Sequence, residues 1–545
     1  MLFMKYARLI SSKHLFVFLT FLLLGLVLSV GMHVDLEAAD ETKHIVQTGT
    51  QSQGGVSTLG SGNCRYGAAQ LAGDDDIPFI NQMDLGWKVD FNVRFARANT
   101  DVARYSPTVR FKPVDDGDND PTNDGYQIIG PQMTDAPDGL GALIAANPGR
   151  LWLLGNEVDR AIYQDELYPQ TYARAYHDVY HFIKDRDPTA QIAVSGLVQV
   201  SPNRLEYLDI MFDTYRTLYG VQMPVDVWNA HLYILPERIW GTVDQETTGG
   251  IALGTNPASA IFSNDGTSNQ CYRDDVTCYA EADNVDLLRG QIRMMREWMH
   301  ANGEGGKPLI VSEYGILWPY DQEGDADPNT CYLKDEYGQC FPPERTQQFL
   351  KDSVVMFESY VDPTYGYALD DFRMVQQWLW FGTIGAETVT FGLVNLERTA
   401  LTPLGVELRD TIANRPKYIN IKPINATSAI LETNGSPTVD AALEVNVLNS
   451  GNMFAQQPFN VGFYRDSALT DLIGYGTVSS PVGGCTTDHA KASVQWSNLA
   501  PGAHQYWAYV NVGHPNAESD YSDNLITGII MVDAAHQFFF PFVER

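Results

Sequence analysis

With 545 residues, the chain is too long for one ordinary domain and suits a large domain followed by a smaller one. Its 44% hydrophobic content excludes a disordered chain. A formal net charge of −31 excludes nucleic acid and anionic membrane surfaces as partners, because both would repel it.

Residues 1–39 place Lys5, Arg8 and Lys13 ahead of an apolar run at 15–30, the order of a signal peptide. The expected destination is therefore the extracellular space or the cell surface, with an uncleaved anchor as the alternative. No cysteine follows the run, so a lipid-anchored form has no support. Residues 40–62, rich in Gln, Thr, Gly and Ser, read as a linker.

Six cysteines fit an oxidising compartment. Cys271 and Cys278 are neighbours in sequence, as are Cys331 and Cys340, and local pairing within each couple is preferred. Cross-pairing between the two loops stays open, and Cys64 and Cys485 stand alone. No cysteine has CxxC spacing, so no metal site is expected.

From Cys64 the chain alternates strand and helix signals, the pattern of a parallel α/β domain. Eight strand candidates fall at 65–71, 86–93, 108–114, 151–157, 191–197, 225–233, 308–313 and within 375–395. Between them, Tyr172, Tyr176, Val179, Tyr180 and Ile183 recur at helical spacing. So do Leu205, Leu208, Met211, Phe212 and Tyr215, and a third helix is read over 286–300. These aromatic stripes read as core. The expected fold for 63–415 is an α/β (β/α)8 TIM barrel, with loop insertions at 239–284 and 317–343, each holding a cysteine couple. Residues 422–533 alternate as half-buried strands at 442–448, 459–464, 492–496 and 506–512, the pattern of an Ig-like β-sandwich. Residues 534–545 form an aromatic tail.

The chemistry-bearing residues sit at strand ends. Leu151-Trp-Leu-Leu-Gly-Asn-Glu157 is a buried strand that terminates on a carboxylate, and Pro308-Leu-Ile-Val-Ser-Glu313 repeats the design. Burying an unpaired charge is costly, so two such carboxylates make sense at the catalytic face of a parallel barrel. Glycosidic bond hydrolysis requires a pair of this kind. Asn156 offers donors and an acceptor for a sugar hydroxyl, and the bland alternative is that Asn156-Glu157 caps the next helix. His231 and Tyr233, two apart on one strand, face the same way. The Tyr233 hydroxyl is expected to hold Glu313 ionised, with its pKa down, while apolar surroundings and a like charge raise Glu157. The aromatic platform for a sugar ring is expected from Trp378, Trp380 or 391–395, with Trp380 chosen. No HExxH, GxSxG, P-loop or dinucleotide motif occurs, and no cofactor is expected. The acidic run Asp115 to Asp120 lacks the glycine and terminal Glu of an EF-hand and reads as a solvated loop.

Gly155-Asn-Glu157, His231-Leu-Tyr233 and Ser312-Glu-Tyr-Gly315 together resemble a clan A glycoside hydrolase. The stretch from Ala146 to Glu157 is most similar to the glycosyl hydrolase catalytic-core proteins, the group resembling alkali-sensitive linkage protein, with family 39 more distant. The resemblance covers roughly residues 64–410. It implies a configuration-retaining mechanism with Glu157 as acid/base and Glu313 as nucleophile. Asn156, His231 and Tyr233 then contact substrate or nucleophile, and Arg65 and Arg94 are candidates for an arginine near strand two. Residues 422–533 resemble CARDB-like adhesion domains, through Val445-Asn-Val-Leu-Asn-Ser-Gly-Asn452 and Phe459-Asn-Val-Gly-Phe-Tyr464. That resemblance implies a spacer or a contact to cell surface or polysaccharide. The expected protein is a monomeric, secreted enzyme acting on a β-linked polysaccharide or oligosaccharide. The alternative is a non-hydrolysing carbohydrate-binding or adhesion protein on a glycosidase-like barrel.

Overall fold

The computed structural model describes residues 62–71, 73–95, 103–161, 164–235, 237, 250–260, 282–317, 335, 337, 339–384, 391–431, 438–479, 481–486 and 488–533. The signal segment, most of the linker, the aromatic tail and most of both insertions lie outside them.

All eight expected strands are present. They are β1 (Asn63–Ala69), β2 (Leu85–Val89), β3 (Arg104–Tyr105) running on into β4 (Thr108–Val114), β6 (Leu151–Leu154), β7 (Gln191–Val194), β8 (Trp228–Leu232), β9 (Leu309–Tyr314) and β10 (Gln377–Trp380). A further strand, β5 (Gly125–Ile129), folds back on β4 as a hairpin. A six-stranded parallel sheet has the order β3-β2-β1-β10-β9-β8, and a four-stranded sheet the order β5-β4-β6-β7. Two links join the sheets. The β3–β4 segment leaves one and enters the other, and at the far edge an isolated parallel bridge pairs Ala193 with Val227.

These strands are buried on both faces, which is why their sequences are apolar runs without alternation. One set of side chains, including Trp152, Leu154, Trp228, Val311 and Trp378, packs against helices. The alternate set, including Trp87, Val89, Leu151, Leu153, Ala193, Val227, Ile310 and Leu379, forms a separate small core. The helices are α1 (Ile77–Gln82), α2 (Leu140–Ala146), α3 (Pro169–Lys184), α4 (Pro202–Tyr219), α5 (Val285–Ala301), α6 (Pro343–Ser359) and α7 (Pro403–Ala413). Tyr172, Tyr176, Val179 and Ile183 make the buried stripe of α3. Each such side chain contributes about 1.5–3 kcal/mol on burial. At the start of α4 the Ser201 side chain accepts from the Arg204 amide, and Gly220, at φ 71°, ends the helix.

The C-terminal strands are β11 (Ile421–Ile430), β12 (Val439–Asn449), β13 (Phe459–Tyr464), β14 (Leu472–Val478), β15 (His489–Leu499), β16 (Gly502–Val512) and β17 (Leu525–Val532). They form antiparallel sheets β11-β12-β15 and β14-β13-β16-β17 that share one apolar core, the arrangement of a β-sandwich.

The seam between the two parts lies at the N-terminal ends of the parallel strands. The two cysteines that stood alone in sequence form a disulfide there, Cys64–Cys485, with Cα atoms 6.0 Å apart. The Cys64 amide donates to Asn452 O at 3.0 Å. Fully buried Arg65 grips Asp370 through both carboxylate oxygens and donates to Ser450 O. Arg104 pairs with Asp488, and Lys417 with Asp84. Cys340 is also disulfide-bonded. Cys271, Cys278 and Cys331 lie outside the described residues, so the preferred local pairs do too.

Candidate active site

The β6 strand ends at Leu154, and the chain turns at Gly155, whose φ of 96° favours glycine. Glu157 follows two residues later, in that turn rather than on the strand, at φ 45°. A non-glycine residue there costs on the order of 1–2 kcal/mol, and its neighbours hold it in place. The Glu157 amide donates to Gly196 O at 3.0 Å, and the Asn156 amide to Asp165 at 2.9 Å. Asp159, two residues on, is fully buried against Arg204, which also holds Glu237 at 3.0 Å.

Glu313 comes from β9, and the β8–β9 register sets His231 opposite it. The side chains of Glu157, His231 and Glu313 converge: one oxygen of each carboxylate and a ring nitrogen lie within 4.8 Å of one another. His231 Nδ1 is 3.2 Å from Glu157 Oε1 and 3.6 Å from Glu313 Oε2. Tyr233 donates its hydroxyl to Glu313 Oε1 at 2.7 Å, and Arg160 reaches Glu157 Oε2 at 3.2 Å. Gly196 makes room for the imidazole: a Cβ there would sit 2.3 Å from His231 Cδ2.

The electrostatics run opposite to the sequence expectation. Burial would raise Glu157, but the His231 hydrogen bond and the Arg160 charge outweigh it and hold its carboxyl down at about 2. Burial pushes Glu313 up to about 7. The His231 charge pulls against this, Glu157 reinforces it, and the Tyr233 hydrogen bond does not overcome it. His231 is lowered by burial and raised more by Glu313 and Glu157, so its net shift is upward. The expectation failed because it left out the burial of Glu313, and on Glu157 the His231 hydrogen bond and then the Arg160 charge. Both shifts favour a proton on Glu313 over one on Glu157.

The spacing of Glu157, His231 and Glu313 would also admit a cation. However, a guanidinium already sits on Glu157 and a hydroxyl on Glu313, a set suited to proton chemistry. Exposed Asp115, Asp116 and half-buried Asp124 also cluster, at the solvent-facing β4–β5 connection.

Four of the expected site residues, Glu157, Glu313, His231 and Tyr233, come together. Asn156 lies beside them, 5% exposed, with its side-chain amide donating to Gln164 at 3.0 Å. Trp380 does not join them. It is 1% exposed, packs edge-on against Tyr314, and donates Nε1 to Phe391 O at 2.8 Å, so it belongs to the helix-facing core. Trp378 is equally buried, whereas half-buried Phe381 packs on the inner core and stacks on Phe391. Arg65, spent on Asp370 at the opposite strand ends, is no substrate ligand, whereas half-buried Arg94 follows the C-terminal end of β2. The sequence reading missed Arg160, Asp159, Arg204 and Glu237. Only Arg160 carried a signal, its i+3 spacing from Glu157.

No family model matches the chain, and no curated protein does. Among solved structures, a family 128 endo-β-1,3-glucanase from Pseudomonas viridiflava is similar over 64% of this chain and 97% of its own, at 14% identity and TM-score 0.38. A family 128 endo-β-1,3-glucanase from Amycolatopsis mediterranei, in complex with laminaritriose, is similar over 64% and 98%, at 14% identity and TM-score 0.37. The CARDB domain of a Pyrococcus furiosus protein, in complex with di-metal ions, is similar over 22% and 98%, at 17% identity and TM-score 0.17.

Proposed function

We propose that the protein is an exported glycoside hydrolase that cleaves a β-linked polysaccharide or oligosaccharide with retention of configuration. In this reading residues 63–415 close into a (β/α)8 barrel, supported by the two links between the six-stranded and four-stranded sheets, and 422–533 form a separate domain. The observation that carries it is that one oxygen of Glu157 and one of Glu313 lie within 4.8 Å of each other, with His231 between the two carboxyls. Double displacement places its carboxyl groups about 5–5.5 Å apart, whereas inversion needs roughly 6.5–9.5 Å to seat a water between them.

Glu313, steadied by Tyr233, is the nucleophile that attacks the anomeric carbon. Glu157 protonates the departing oxygen and then, as a base, activates the water that releases the sugar. Asn156 stands beside Glu157 to accept or donate to a hydroxyl of the bound ring.

The test is hydrolysis of a panel of β-glucans including laminarin, xylans, mannans and galactans, with the anomeric configuration of the first product read by proton NMR. Retention is expected, and Glu313→Ala and Glu157→Ala should each lose about 10²-fold or more in turnover. Inversion, or wild-type turnover that survives both substitutions, rejects the proposal.

A further inference from the structure

The resting site poses a problem for the acid step. Glu157 must deliver a proton, yet one of its oxygens faces the Arg160 guanidinium and the other His231, while among the described residues its buried partner Glu313 meets a neutral hydroxyl, that of Tyr233, at the oxygen away from His231. These surroundings favour a proton on Glu313, the wrong carboxyl for the acid step.

His231 is placed to correct this. Its Nδ1 stands between the pair, 3.2 Å from Glu157 Oε1 and 3.6 Å from Glu313 Oε2, and the ring is fully buried. Nε2 has no hydrogen-bond partner among the described residues and lies against Gly196, so any proton the ring exchanges passes through Nδ1. Groups facing the ring are Glu157, Glu313 and, behind Glu157, Asp159, all acidic; Arg160 and Tyr233 act on the two carboxylates from their far sides.

We propose that His231 relays the stored proton from Glu313 to Glu157 when substrate binds, converting the resting pair into an ionised nucleophile and a loaded acid. This rests on the roles assigned above. With the ring protonated, Nδ1 gives its proton to Glu157 Oε1: the N–H bond breaks and an O–H bond forms. Glu313 then gives the proton on Oε2 to the vacated Nδ1. The ring ends as it began, Glu157 is neutral, Glu313 is charged, and nothing enters or leaves the site. The ring's net upward pKa shift favours the protonated starting form.

The test compares two substrates with the same sugar: an unactivated β-linked oligosaccharide and the 2,4-dinitrophenyl β-glycoside, whose leaving group needs no acid. Competent sites are counted with a 2-deoxy-2-fluoro glycoside that traps the glycosyl-enzyme, so misfolded protein does not enter the rates. His231→Gln and, as a second variant, His231→Asn are expected to lose about 10²–10³-fold in kcat/KM on the oligosaccharide. The dinitrophenyl glycoside still needs an ionised Glu313, so it is read at about pH 8.5, above that carboxyl's value of about 7, where Glu313 ionises without the relay. There the loss should be at least about tenfold smaller than on the oligosaccharide at about pH 6. Glu157→Gln serves as the reference and should show the same split. Equal losses on both substrates for the His231 variants, as a purely structural or binding role would give, overturn the relay. No loss on either overturns it too. If Glu157→Gln itself shows no split, or wild type cleaves neither substrate, it is the underlying reading of Glu157 that falls, and the relay with it.

Discussion

Arg160, with His231, holds the Glu157 carboxyl down, so replacing it with Met, which keeps the aliphatic stem but no charge, should shift the pH dependence of catalysis. The guanidinium lies 3.2 Å from Glu157 Oε2, with the Arg160 side chain 17% exposed and the carboxylate 4%. An opposite charge this close lowers a carboxyl by about 1–3 units, or roughly 1.4–4 kcal/mol at 1.36 kcal/mol per unit. Removing it raises Glu157 from about 2 by that amount. Glu313, which Arg160 also lowers, rises as well from about 7, though Arg160 is the smallest of its influences. The profile of kcat/KM against pH is a bell bounded by the pair's two apparent values. Both limbs should therefore move to higher pH in Arg160→Met, the acidic limb by about 1–3 units and the basic limb by less. The assay is kcat/KM on an aryl β-glycoside from pH 3 to 10 at constant ionic strength, a range in which wild type shows at most the foot of its acidic limb and Arg160→Met should show the limb itself. An acidic limb that stays put or moves down would show that Arg160 does not hold Glu157 ionised.

Other consequences can be measured without substrate. Glu313 has its folded value raised to about 7, against an ordinary value of 4.5. It therefore costs stability increasingly as pH rises through that window and fully above it. Glu313→Gln should gain up to about 3 kcal/mol in urea unfolding at pH 8 and no such pH-linked gain at pH 4; equal effects at both would refute the assignment. Arg65→Met leaves Asp370 buried without its cation and should cost about 3–5 kcal/mol, whereas the double change Arg65→Met, Asp370→Leu should recover much of it. A single variant as stable as wild type would mean the pair is not the anchor of the seam. Cys64→Ser with Cys485→Ser should lower stability by about 2–4 kcal/mol while leaving turnover per folded site intact, because the bond lies at the strand ends opposite the carboxylates. A drop in turnover at temperatures where the variant stays folded would contradict that separation.

Much of this molecule was readable in its sequence where physics is local. Short apolar runs such as Leu151–Leu154 and Ile192–Val194 announce doubly buried strands, and both carboxylates were found by asking why a charge should follow such a run. The strands that escaped were those whose pattern is blurred. β14, Leu472–Val478, carries two glycines, and β17, Leu525–Val532, shows Ile529 and Met531 to solvent at 59% and 62% exposure, which erases the alternation. What sequence could not convey was convergence across distance. Cys64 finds Cys485, and Arg204 of α4 finds both Asp159 and Glu237, contacts that leave no periodic trace. Trp380 was misjudged for the opposite reason. A tryptophan on a strand reads the same whether it faces the mouth of the site or the helices behind it.

The Cys64–Cys485 bond also sets an order of events during synthesis. Its partners are 421 positions apart. At about 5–20 residues per second, the first thiol waits roughly 20–80 seconds for the second to be made. The other four cysteines all emerge during that interval and can capture it. The correct partner becomes available only once β14 has been translated and the C-terminal strands can dock at the seam. Closure of this bond thus reports that the chain has been made at least as far as Cys485, and a product truncated before that residue leaves Cys64 without its native partner.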